Sequence, residues 1–152
     1  MAHLERALIF FLALGAAGSA AAEPLTITDA WIRATPPGAR TAAAYLTIAN
    51  TGATDRLLGG ATPAARSVEV HTHVDERGLQ HMVRLAELGL PAGETVRLTP
   101  GGLHLMLVDV AAPLTAGTSV TLSLRFAAAG TLELEVPVVD ARASSPTTHP
   151  AH

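Results

Sequence analysis

The sequence predicts an all-β fold, an antiparallel sandwich of about eight or nine short strands, and three observations carry that expectation. Apolar and polar residues alternate: Val120, Leu122, Leu124 and Phe126 interleave with Thr121, Ser123 and Arg125, and Leu132, Leu134 and Val136 with Glu133 and Glu135. Period two puts successive side chains on opposite faces of a strand. Gly and Pro turns recur at short intervals, and no segment of the body reads as an amphipathic helix. With 152 residues, 49% of them hydrophobic, and a net charge of -3, one domain accounts for the chain apart from its two ends.

In chain order, residues 1–22 read as a secretory signal peptide. A short polar start ends in Arg6, an apolar run follows from Ala7 to Leu14, and Ala20-Ala21-Ala22 offers a small-residue cleavage pattern. The run is shorter than the roughly 20 residues of a membrane span. No Cys follows it to take a lipid. The expected mature domain is 23–140, working in the periplasm with no stable membrane insertion. Expected strands lie at Ala30 to Arg33, Ala42 to Ala49, Leu57 to Ala61, Val68 to His73, Leu79 to Leu85, Thr95 to Leu98, His104 to Val108, Val120 to Phe126 and Leu132 to Val136. Pro36-Pro37-Gly38, Asn50-Thr51-Gly52, Pro91-Ala92-Gly93, Pro100-Gly101-Gly102 and Ala116-Gly117 supply turns between them. The end, 141–152, is polar, Pro-containing and aperiodic, and is expected to be a disordered His-containing tail.

Charge and cysteine content narrow the function. All ten basic residues are Arg and they are scattered, so no basic run tracks nucleic acid or an anionic membrane. An exported chain with no Cys has neither disulfides nor thiol chemistry. About 130 residues can bury enough apolar surface to fold without them.

Candidate metal donors concentrate between Val70 and Val110. In the strand Val68 to His73 the two valines face one way and Glu69, His71 and His73 the other. In Leu79 to Leu85, Met82 shares a face with Gln80 and Arg84, opposite Leu79, Val83 and Leu85; His81 falls on the apolar side and is expected to be structural. His104 and Met106 share one face while Leu103, Leu105 and Leu107 take the other. A lone strand Met is ordinarily core filler, and a lone His ordinarily solvated. Three strands that each turn a His or Met away from the apolar face weigh against coincidence, yet periodicity alone leaves both readings open. Imidazole and thioether without thiolate is a donor set suited to copper(I).

The spacing His71, ten residues, Met82, twenty-one residues, His104, one residue, Met106 resembles the H-x10-M-x21-H-x-M signature of the periplasmic copper chaperone family called PCu(A)C. The resemblance extends through Ala30-Trp31-Ile32-Arg33-Ala34-Thr35-Pro36-Pro37-Gly38, Ala44 to Ile48, Asn50-Thr51-Gly52 and Pro100 to Leu107, covering roughly Trp31 to Val138. It implies a cupredoxin-like Greek-key sandwich that binds one Cu(I) through His71, Met82, His104 and Met106. It also implies delivery to the dinuclear copper centre of cytochrome c oxidase, on subunit II, or to a companion copper carrier. Some relatives place a Met just after the first His; here Thr72 and His73 stand there, and His73 is a ligand, a supporting partner or a surface residue. His149 and His152, spaced His-x-x-His in the tail, are a flexible end or a second, nitrogen-only site for copper(II). Trp31 and Tyr45 are expected in the core, or one of them beside the site.

Other classes fit less well. A blue-copper electron carrier needs a Cys thiolate, and a copper enzyme needs several imidazoles round an open redox site. The expectation is therefore a carrier and not an enzyme, as a monomer. A non-metal extracytoplasmic interaction module, or a periplasmic copper storage and tolerance protein, is the alternative.

Overall fold

The computed structural model describes residues 23–140 and Arg142; the expected signal peptide and the tail histidines His149 and His152 lie outside the described residues. Ten strands form, in the order β1 (Leu25–Arg33), β2 (Thr41–Asn50), β3 (Asp55–Ala61), β4 (Ala65–Glu76), β5 (Leu79–Leu85), β6 (Leu88–Leu90), β7 (Thr95–Leu98), β8 (His104–Val110), β9 (Ser119–Phe126) and β10 (Gly130–Val139). The described residues contain no helix. The all-β expectation therefore holds, with one strand more. The addition, β6, is three residues long, too short to display a period. β1 begins at Leu25 instead of Ala30, because Asp29 adopts a φ of 54° and the register with β2 shifts between Thr28 and Trp31. Such a bulge breaks the alternation a strand is recognised by.

The strands form one sheet, ordered β5-β4-β8-β2-β1-β10-β9-β3-β6, which closes on itself where β3 meets β4 at Gly60 and Val68. Every pairing is antiparallel except β1 with β10, which run parallel at Ile32 opposite Val138. β2 is long enough to take two partners along one edge: β8 pairs with Thr41 to Ala44, and β7 with Leu46 to Ala49. The interior is filled by side chains of alternate positions, among them Ile32, Leu46, Ile48, Leu57, Val70, Leu105, Leu107, Leu122, Leu124 and Val136. Full burial of each such side chain is worth about 1.5–3 kcal/mol. Closure depends on two glycines: a Cβ on Gly60 would lie 2.4 Å from the Ser123 carbonyl oxygen, and Gly59 has a φ of 132°. No other residue lets β3 pass between β9 and β4 there.

β4 is also shared, and this shapes the functional face. Its first part, Ala65 to His71, pairs with β8, while Val70 to Glu76 pairs with β5. Beyond His71 only β5 accompanies it, so Thr72 to Glu76 and Leu79 to Val83 form a two-stranded ribbon that projects past the sheet. The expected packed face of β5 is a correction for this reason. Leu79 is 65% exposed and Val83 40%, and His81 is exposed on the same side instead of structural. The side of the ribbon that carries Leu79, His81 and Val83 is left to solvent.

Buried polar groups secure the turns. Asn50 donates from Nδ2 to the carbonyls of Ala53 and Leu90, both at 2.9 Å, and accepts from the Gly52 amide at 3.0 Å. Asp55 accepts from the amides of Arg56 at 2.7 Å, Ala128 at 2.8 Å and Ala129 at 2.9 Å. Burial pushes its carboxyl pKa up, but the three amides together outweigh burial and hold it below the ordinary value. A carboxylate depressed in the folded state stabilises above its unfolded pKa, and that stability is lost as pH falls through the folded value. Asp55→Ala is expected to cost about 3 kcal/mol at neutral pH. Asp55→Asn is expected to cost less and to lose part of the wild-type decline below about pH 4. Urea denaturation of the three proteins across pH checks both; equal acid sensitivity in wild type and Asp55→Asn would contradict the account.

Candidate metal centre

His71, His104 and Met106 sit where strand alternation turns them to the outer face, and Met82 joins them through its register with His73. Val68 and Val70 of β4 and Leu105 and Leu107 of β8 fill the interior, so Glu69 and His71, and His104 and Met106, take the opposite face. The β4–β8 register then sets His71 against His104 and Glu69 against Met106, while the β4–β5 register sets His73 against Met82 and His71 against Arg84. Directly opposed residues share a face, so three strands deliver the four spaced residues to one surface. On the far side of β8, Ala43 of β2 pairs with Met106, and Tyr45 follows on the same face.

These residues surround an open cavity of about 300 Å³. His73, Met82, His104, Met106 and Tyr45 line it, and Thr35 and Pro36 of the β1–β2 connection add to the lining. His71 is not part of the wall, but its ring lies 5.9 Å from that of His104, centre to centre. His73 is nearer still, at 5.4 Å. Tyr45, at 6.4 Å from His104, stacks on Trp31 at 4.7 Å, and the Arg33 guanidinium lies over both rings at 5.8 and 5.9 Å. Trp31 and Tyr45 are thus a buried aromatic support on the outer face, and Tyr45 is the one beside the site. The donors differ in exposure: His104 is 3% exposed, whereas Met82, on the ribbon, is 48% exposed. Among the described residues no three His, Asp or Glu side chains converge into a metal cluster of their own. Met82 and Met106 are the further candidate donors on this face.

Hydrogen bonds fix which imidazole nitrogen is free. His104 Nδ1 lies 3.0 Å from the Gly102 carbonyl oxygen. A carbonyl only accepts, so Nδ1 carries the proton and Nε2 keeps its lone pair. His71 Nε2 lies 2.8 Å from Glu69 Oε2. The His71 contact, against an opposing effect of burial and with help from Arg84, holds the Glu69 carboxyl below its ordinary pKa. The carboxylate therefore accepts and His71 Nε2 donates. His71 Nδ1 is then left buried with no hydrogen-bond partner among the described residues. A proton on it would be a buried unpaired donor, which costs about 1–3 kcal/mol. Two imidazoles, each with one nitrogen turned to an acceptor and the other able to offer a lone pair, beside two thioethers make a donor set that fits a soft monovalent cation.

Sequence reasoning did not single out Glu69, Arg84 or Arg33. Glu69 was visible as the i-2 neighbour of His71 on one strand face; Arg84 and Arg33 become meaningful only through register and folding of the sheet.

Burial pulls the pKa of His104 below the ordinary 6.5, with the Gly102 carbonyl opposing and His73 and His71 adding to the fall. The unfolded chain takes up this proton first, so stability contributed by neutral His104 is lost as pH falls from 6.5 towards the lowered value. An NMR titration of the His104 ring in the metal-free protein is expected to show a midpoint below 6.5; a midpoint at or above it would contradict the burial argument.

Comparison with known proteins agrees with this fold. Residues 25–138 match the LpqE-like family model, described as "Putative lipoprotein LpqE-like". The chain is 38% identical over 122 residues to "Putative lipoprotein Lxx21020" of Leifsonia xyli subsp. xyli (strain CTCB07), covering 78% of this chain and 72% of that protein. Among solved structures it resembles the copper-bound PCuAC domain from PmoF2, with a TM-score of 0.67 and 28% identity over 77% of this chain and 93% of that one. It also resembles the solution structure of CuI-DR1885 from Deinococcus radiodurans, with a TM-score of 0.64 and 32% identity over 81% and 83%. The chain belongs to the LpqE-like family and has the fold of the PCuAC copper chaperone domains.

Proposed function

We propose that this protein is an extracytoplasmic copper(I) chaperone. It binds one ion through His71, Met82, His104 and Met106 and passes it to a copper-accepting protein. The observation that carries the reading is the pair of opposed histidines, His71 against His104, with His71 Nδ1 buried and without a hydrogen-bond partner among the described residues, next to a face that also holds two methionines. Thioether sulfur binds without losing a proton and favours the reduced ion, while both imidazoles have their lone pairs free. No group here needs to turn over a substrate. The ion is cargo, and Met82 on an exposed ribbon is a donor that a partner can reach and replace.

The finer parts of the reading follow from the chemistry and from the relatives. The lipoprotein name of the family model supports a place outside the cytoplasm, which we take to be the periplasm after removal of residues 1–22. The dinuclear copper centre of cytochrome c oxidase subunit II, or a companion carrier, is the proposed recipient. His73, lining the same cavity opposite Met82, is proposed as an auxiliary donor during transfer. His149 and His152 are proposed as a weaker copper(II) site. A non-metal interaction module is the competing reading. It is favoured by one observation: among the described residues the exposed large apolar side chains, Val74, Leu79, Met82 and Val83, all belong to the ribbon.

Titration of the chain lacking residues 1–22 with copper(I), under reducing conditions and against a competing chelator, separates the two. One tightly held ion in wild type and at least a hundredfold weaker binding by Met82→Leu/Met106→Leu is expected, on the order of 3 kcal/mol. Equal, weak binding by both would leave the interaction module. A parallel copper(II) titration of a chain also lacking residues 144–152 is expected to lose one equivalent of weak binding; unchanged stoichiometry would remove the tail site.

A further inference from the structure

We propose that Glu69 is a positioning residue for the copper(I) site, selecting the nitrogen with which His71 binds; the proposal rests on the copper reading above. Glu69 and His71 are two residues apart on the outward face of β4, so the carboxylate reaches the ring of its own strand neighbour. Glu69 Oε2 accepts the hydrogen bond of His71 Nε2–H at 2.8 Å. An imidazole without such a partner exchanges its proton between two nitrogens. Held by Glu69, His71 has Nδ1 alone to offer, and Nδ1 is a buried atom with no hydrogen-bond partner among the described residues. The same carboxylate strengthens the ring as a donor, because a negative group on the remote N–H raises electron density at the nitrogen that binds.

A second contact widens the role. Arg84 Nε lies 3.7 Å from the same Glu69 oxygen, and Arg84 is the register partner of His71 on β5, two residues from Met82. Glu69 also pairs in register with Met106 on β8. One carboxylate therefore stands between the three strands that bring the donors together. The Arg84 side chain is 67% exposed, and exposed ion pairs are screened and weak. Its hold on β5 is the lesser effect, and the bond to His71 is the one that matters.

Two readouts test this on Glu69→Gln, Glu69→Leu and Arg84→Ala. In metal-free protein, two-bond nitrogen–proton correlations of the His71 ring are expected to show the proton on Nε2 in wild type and in Glu69→Gln, whose amide oxygen still accepts. Glu69→Leu is expected to show a mixture or the opposite tautomer. In chelator competition, Glu69→Leu is expected to lose about 10- to 100-fold in copper(I) affinity, with Glu69→Gln recovering most of it. Arg84→Ala is expected to change affinity less than about threefold. A wild-type His71 protonated on Nδ1, or a folded Glu69→Leu with wild-type tautomer and affinity, would overturn the proposal. The wild-type tautomer decides the matter even if Glu69→Leu does not fold. Met82→Leu/Met106→Leu keeps the two readings apart. If it binds copper(I) like wild type the copper reading fails, while the metal-free tautomer still reports on Glu69.

Discussion

The register of β4 against β8 is the constraint on which the rest depends. Val68 and Val70 of one strand and Leu105 and Leu107 of the other are buried, and that burial decides which way every neighbouring side chain points. A slip of one residue would turn β4 over relative to β8, sending Glu69 and His71 towards the interior and Val68 and Val70 into water. At about 1.5–3 kcal/mol each, those two side chains amount to a large share of the net stability of a typical domain. The chemistry of the outward face is thus held in place by the hydrophobic effect on the inward one.

The neighbouring strands refine what that register begins. Ala43 beside Met106 keeps the β2 side of the face low, and Tyr45, backed by Trp31, forms a firm aromatic edge next to His104. Backbone and carboxylate acceptors then choose the tautomers, Gly102 for His104 and Glu69 for His71. The result is a graded site. Its deep part is built on paired, buried strands, and its outer part rides on a ribbon with one neighbour.

Much of this was legible in the sequence. Alternation alone located nine of the ten strands and put His71, His104 and Met106 away from the aliphatic residues beside them, because one face of each strand is packed and the signal is strong. It failed where the physics it assumes was missing. β6 is too short to have a period, the bulge at Asp29 hides the start of β1, and Leu79 and Val83 mimic a packed face in a ribbon that touches no core. The contact of β3 with β4 and the parallel meeting of β1 with β10 depend on pairings between residues far apart, which local pattern does not encode. For the same reason the approach of Tyr45 to His104, and of Arg84 to Glu69, was hidden, whereas the spacing of the two histidines and two methionines was plain.

The projecting ribbon has an evolutionary consequence. Between Thr72 and Glu76, and between Leu79 and Arg84, no side chain is buried, so nothing there is constrained by close packing. Changes in that hairpin alter what a visiting protein meets while leaving the barrel's stability almost untouched. Such a molecule can acquire new exchange partners by drift in one short loop, without risking the loss of its fold.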